Sequence, residues 1–269
     1  MSLHYTTLFT EALMTIEWYG TAAVSIEYNG ARLLFDPFVR MNKRLKPRIT
    51  VNSFTHADAI FTTHGHFDHI SSIPEIEKKA AIPVFGTETA VNTLVKQGVP
   101  PHRLKKVVPG DSINLGDFTI TVYKTKHLVF DKKYIASVLP MCVAAFPKFF
   151  YLVFKAFKYP DNNENIGFEI ACEGKRVFVM GSFGTAQGES YPKNCDLLVL
   201  PLGGCLSIYK DIAPFIAETH PKKILITHYD NAFPPETRRS NAEGIKADIL
   251  RDFPDTAVII PQEFKGYTV

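Results

Sequence analysis

Thr63-His64-Gly65-His66-Phe67-Asp68-His69 lies just beyond the apolar run Ala59-Ile60-Phe61. It holds three of the chain's nine histidines and a carboxylate within six residues. His64 and His66 alternate as on an extended segment, so both imidazoles can face one point. Asp68 and His69 follow where a loop can turn them toward a second point nearby. Neutral imidazole and carboxylate are ligands of zinc, manganese and iron, and two such metals make a strong hydrolytic centre. Core packing gives no reason to concentrate so many histidines in one polar stretch. The spacing therefore predicts a metal site.

Outward from this stretch, period-two alternation predicts strands. Upstream, Ile16-Glu17-Trp18-Tyr19-Gly20 and Ala23-Val24-Ser25-Ile26-Glu27-Tyr28 alternate, Asn29-Gly30 makes a two-residue hairpin turn, and Ala31-Arg32-Leu33-Leu34-Phe35 returns to end in Asp36-Pro37. Downstream, Pro74, Glu75 and Glu77 predict a helix from Ser71 to about Ala81, and Thr87 caps a second helix that runs to Gln97 before Gly98. Further strands are expected at 82–85, 106–108, 111–115, 118–123, 167–172, 176–180, 196–200, 223–227 and 257–260. Helices are expected through Glu218 and over 241–251.

Composition narrows the class. The chain has 269 residues, 46% of them hydrophobic, enough for one large layered domain without disorder. A net charge of +3 with scattered lysines gives no reason to expect nucleic acid. A basic loop at residues 40–48 reads as a solvated face in preference to an anion-attracting wall. Cys142, Cys172, Cys195 and Cys205 lack any CxxC spacing and read as reduced, buried thiols of a cytoplasmic protein. No signal peptide is evident, and residues 1–13 precede a plausible second start at Met14.

The pattern His-x-His-x-Asp-His resembles the metallo-β-lactamase superfamily, and the resemblance runs from Met14 almost to the C-terminus. It implies an α/β fold, the four-layer αββα sandwich, as a single domain over 14–269 with an insertion at about 128–165. It also implies ligands from later strand ends. His127 falls where the family carries the third histidine of one site, completing His64, His66 and His127. His228 matches the final ligand of the other, with Asp68 and His69. Asp36, which a simple turn would also accommodate, matches an aspartate that supports a ligand histidine from behind. Ser182, in Gly181-Ser182-Phe183-Gly184, stands where the family usually has an aspartate bridging two metals. Leu200-Pro201-Leu202-Gly203-Gly204 is similar to the branch containing ascorbate-6-phosphate lactonase and related metal-dependent hydrolases. The remaining histidines, His4, His56, His102 and His220, match no motif position.

The implied chemistry is hydrolysis of an ester, lactone or phosphodiester by metal-activated water, with Asp68 orienting the water or taking its proton. One or two divalent ions are expected, zinc first, with manganese or iron as alternatives. The competing class is a catalytically weakened metal- or ligand-binding protein, which Ser182 favours. The segment 128–165 adds a helix on which Phe146, Phe149, Phe150, Val153, Phe154 and Phe157 share one face and Lys148, Lys155 and Lys158 the other. Three roles are open for it: a lid or dimer contact in a homo-oligomer, a wall for a small-molecule or lipid-like substrate in which Phe149, Phe150 and Phe154 make the contact, or peripheral membrane contact, as in a lipid phosphodiesterase.

Overall fold

The computed structural model describes residues 13–269. The N-terminal extension and His4 therefore lie outside the described residues, Leu13 excepted. The chain begins with β1 (Thr15–Trp18), β2 (Val24–Tyr28) and β3 (Ala31–Phe35), an antiparallel meander. Asn29 and Gly30 both adopt positive φ at the hairpin between β2 and β3, the geometry whose twist matches the flanking strands. Three strands then add in parallel: β4 (Ala59–Phe61), β5 (Val84–Gly86) and β6 (Leu104–Lys106). The second sheet comprises β7 (Ser112–Leu115), β8 (Phe118–Thr125), β9 (Asn165–Cys172), β10 (Lys175–Met180), β11 (Leu197–Pro201), β12 (Lys223–Thr227) and β13 (Ala257–Ile259), in the order β13-β12-β11-β10-β9-β8-β7. The last strand, β14 (Gly266–Thr268), returns to pair with β1, so the first sheet runs β14-β1-β2-β3-β4-β5-β6.

The inner faces of the two sheets meet. Ile16, Ile26, Leu33 and Phe35 from the first share one core with Ile120, Phe168, Ile170 and Val179 from the second. Phe168 packs against both Phe35 and Phe61, with ring centroids 5.8 and 5.2 Å away. Leu34 and Ile60 point to the opposite face and pack with residues of α1 (Phe67–Ile70), α2 (Ile73–Glu77) and α3 (Glu88–Lys96). Both faces of β3 and β4 are thus buried, which explains their nearly unbroken apolar sequence. Ile212, Phe215 and Ile216 of α6 (Tyr209–Thr219) and Ile249 of α7 (Ala242–Asp252) join the inter-sheet core cluster. Two mixed sheets flanked by helices make the expected α/β layered sandwich.

Two local expectations change. Asp68 and His69 lie not on a loop but in α1, a single turn entered through His66 in extended backbone. The helix expected over 71–81 shortens to α2, with Ser72 before it and Pro74 in its first turn. The α3 expectation holds: the Thr87 hydroxyl accepts the Ala90 N–H at 3.3 Å, as a helix cap does.

The 128–165 segment forms α4 (Lys132–Ala144) and α5 (Phe146–Phe157), bent by 118° at their junction. Asp131 caps α4 and also accepts the N–H groups of Leu206 and Ser207 at 3.0 and 3.1 Å, tying the insertion to the turn after β11. Tyr134, Val138 and Cys142 pack with Phe149, which joins the two helices. The face expected on α5 is divided: Leu152 is fully buried and Phe149 and Val153 half-buried, while Phe150 is 63% and Phe157 81% exposed. The helix docks along a narrow stripe and leaves most of its aromatic side uncovered.

Candidate metal centre

The parallel register of β3 and β4 places Phe35 beside Phe61 and brings Asp36 against Thr63. Thr63 donates its N–H to Asp36 Oδ1 at 2.8 Å and its hydroxyl to Oδ2 at 2.7 Å. With that hydroxyl proton directed at the carboxylate, Thr63 Oγ1 accepts from His64 Nδ1, 3.0 Å away. The lone pair of His64 is then on Nε2. By the same reasoning, His127 Nδ1 lies 2.8 Å from the Leu128 carbonyl, which can only accept, so His127 also presents an unprotonated Nε2. Both Nε2 atoms lie 3.1 Å from His66 Nδ1. One proton cannot serve three converging nitrogens. A tetrahedral cation with bonds of roughly 2.0–2.1 Å separates its ligands by about 3.3 Å, so the arrangement fits a metal.

The second cluster is Asp68, His69 and His228, whose ligand atoms lie within 4.8 Å of one another. Asp68 Oδ2 is 3.2 Å from His228 Nε2 and 3.6 Å from His69 Nε2. Behind it, Asp36 Oδ2 lies 2.9 Å from His69 Nδ1, so the aspartate that steadies Thr63 also touches a member of the second cluster. The two clusters adjoin: the His64 and His69 ring centroids are 3.9 Å apart.

Backbone geometry shows how closely the surrounding strands approach. Asp36 and His228 both adopt positive φ, uncommon outside glycine, and His228 is held there by donating its N–H to Thr21 O at 2.7 Å. A Cβ on Gly203 would come within 2.4 Å of His228 Nδ1. One on Gly181 would fall 1.9 Å from Thr63 Oγ1 and 2.4 Å from Asp36 Oδ2. Gly181 lets the end of β10 close over Asp36 and Thr63 of the first sheet, and Gly203 lets the turn after β11 pass beside His228 at the end of β12.

Electrostatics favour the metal-binding protonation states of His64, His66, His127 and Asp68, while His69 is drawn toward its protonated form. Burial, reinforced by neighbouring imidazoles, holds His64 well below the usual histidine range and lowers His66; it brings His127 to about 4. All three are neutral at pH 7, the form that binds metal. Burial opposes the charge of Asp68, but His69 and His228 overcome it and lower the carboxyl below its usual range. Burial likewise opposes protonation of His69, and Asp36 and Asp68 overcome it, so its pKa rises.

A cavity of about 240 Å³ opens over the centre, and its walls include His66, Asp68, His69, His127 and His228. Ser182 is in the same wall, where its hydroxyl accepts the Leu128 N–H at 3.0 Å and anchors the segment that carries His127. Phe149, Phe150 and Phe154 do not line this cavity. The insertion contributes Phe130 and Tyr134 instead, and the loop after β12 adds Phe233, Glu236 and Arg238. Burial, then Asp68, pushes the Glu236 carboxyl up to about 7. Glu236 follows Pro234-Pro235 in a loop with no ligand spacing, and its position after His228 is the sole signal of it in the sequence.

Arg40, read as part of a solvated basic loop, is buried and ion-paired with Asp230 and Glu263. Asp230 also accepts the Thr21 N–H at 2.9 Å, so this pair braces the backbone that holds His228. All four cysteines are unpaired and buried.

Comparison with known proteins bears on the family and the fold. Residues 31–229 match the model of the "Beta-lactamase superfamily domain". A UPF0173 metal-dependent hydrolase of Pyrobaculum arsenaticum is 26% identical over 245 residues, covering 86% of this chain and 93% of the relative. Another, from Ligilactobacillus salivarius, is 22% identical across 90% of this chain and 94% of its own length. Among solved structures, the metallo hydrolase Igni18 of Ignicoccus hospitalis superposes with a TM-score of 0.67 at 19% identity, covering 95% of this chain and 98% of its own. The metallo-beta-lactamase fold protein YhfI of Bacillus subtilis superposes with a TM-score of 0.62 at 16% identity, covering 96% and 100%.

Proposed function

The chain belongs to the beta-lactamase superfamily and is a metal-dependent hydrolase, and from that premise we propose that it cleaves an ester, lactone or phosphodiester bond. The observation that carries this reading is the meeting of two three-ligand clusters at one cavity. His64, His66 and His127 would hold one divalent ion, and Asp68, His69 and His228 a second where two are bound; the donor set suits zinc first, and also manganese or iron. A bound ion supplies an activated water and polarises the scissile group. Asp68, acceptor-only and facing the cavity, orients that water or takes its proton. Phe130, Tyr134 and Phe233 give the substrate an apolar wall, with Arg238 as the cation beside it.

Para-nitrophenyl acetate, a simple γ-lactone and bis(para-nitrophenyl) phosphate test the bond class. Turnover of at least one should disappear with a chelator, return with added metal, and be lost in His66→Ala. Turnover that ignores chelation would reject the mechanism. Ser182 supports a second reading, a metal-binding protein of weak activity, because serine brings no negative charge between two cations. That reading predicts stoichiometric metal uptake with no turnover of any of the three.

A further inference from the structure

The helical insertion presents a surface that the hydrolytic reading does not use. On α5, Phe146, Phe150, Phe154 and Phe157 fall within about 80° of the helix circumference at 3.6 residues per turn. Each is more than half exposed, as are Leu139 and Val143 of α4. Contiguous exposed apolar surface of this kind marks an interaction site. Its charge identifies the partner: between Asp131 and Asp161 the chain carries five lysines and no acidic residue. Lys132, Lys133, Lys148 and Lys158 are exposed, and Lys158 Nζ lies 4.9 Å from the Phe154 ring centroid, at the edge of the aromatic face.

We propose that the α4–α5 hairpin docks on the surface of an anionic lipid bilayer, its aromatic face in the interface and its lysines against the headgroups. A large apolar face fringed by lysines, with no acid on either helix of the hairpin, is the pattern of helices that lie in the headgroup boundary; Asp161 and Glu236 flank only its Phe157 end. A second copy of the chain fits less well, since a symmetric contact would set lysine-rich faces against each other with no carboxylate of the hairpin between them. No single helix among the described residues is long and apolar enough to cross a membrane; α4 and α5 reach that length and apolarity only together, across a bend of 118°. The docking face borders the metal centre: Phe130 and Tyr134 line its cavity, while Val153 and Phe157 share the adjoining recess with His66 and Glu236.

Co-sedimentation of the full chain with vesicles of phosphatidylcholine and phosphatidylserine, against phosphatidylcholine alone, tests the proposal. Binding to the anionic vesicles should be the stronger and should fall with salt. Lys148→Glu with Lys158→Glu should weaken it by about fivefold or more for each lysine. Phe150→Ser with Phe154→Ser should weaken it by at least about tenfold. These positions are exposed, so thermal melting should be unchanged and reports whether each variant is folded. Chelated protein should bind vesicles as well as metal-loaded protein does, so a failure of the hydrolase reading leaves this result standing. Absence of binding to anionic vesicles overturns the proposal, as does equal binding to both vesicle types. A dimer that disappears in Phe150→Ser with Phe154→Ser, without vesicle binding, would identify a second copy as the occupant and overturn it as well.

Discussion

Ser182 concentrates the chemistry of this site in one side chain. A carboxylate in the cavity wall would place a negative charge beside two cations; the serine hydroxyl instead accepts the Leu128 N–H and steadies the His127 segment. Mutual repulsion of two dications would then be offset mainly by Asp68. The expected result is unequal occupancy, with the His64, His66 and His127 site tight and the Asp68, His69 and His228 site filling only with excess metal. Ser182→Asp should raise the affinity of the second ion on the order of tenfold or more, read by stepwise calorimetric titration. Two equally tight sites, unchanged in Ser182→Asp, would contradict the bridging position assigned to the serine. At this scale the sequence was informative where residue type restricts chemistry. His64, His66, Asp68 and His69 can be read directly from their spacing, His127 and His228 only through the family resemblance, and the structure brings all six into two clusters. Glu236 and Arg238 could not be read, because loop residues reach a cavity through tertiary folding that leaves no periodic trace.

The elements show the same division. Most strands were evident from alternation, and the hairpin at Asn29-Gly30 from the need for positive φ. Helix α1 was not, since a single turn of four residues is too short to display a 3.6-residue period. For α5 the period was evident but the docking side was not. Amphipathic spacing identifies an apolar face without saying whether the protein covers it, and here the covered stripe centres on Leu152 beside the half-buried Phe149. Leu152→Ala should therefore lower stability by about 2–4 kcal/mol, while Phe150→Ser should change it little. Chemical denaturation of the two variants checks this. An equal loss in both would mean that Phe150 is covered in solution, by oligomerisation or by another part of the chain.

Across the whole molecule, the fold serves to bring the ends of strands from both sheets to one place. Asp36, His64 and His66 come from the ends of β3 and β4 in the first sheet; His127, Ser182 and His228 follow β8, β10 and β12 in the second. Gly181 permits the approach, and the buried Arg40, Asp230 and Glu263 group braces it. The layered architecture was readable from strand order and the family resemblance; the joining of two sheets by one ion-paired arginine was not, because that pairing spans most of the chain. The function of the fold depends most on the six ligands acting together as a metal centre. Elemental analysis of purified protein, beside a variant carrying His64→Ala and His66→Ala, tests that directly. The native chain should hold at least one transition metal ion, and the variant should lose most of it while keeping its fold by circular dichroism. Full metal occupancy in the folded variant would contradict the assignment.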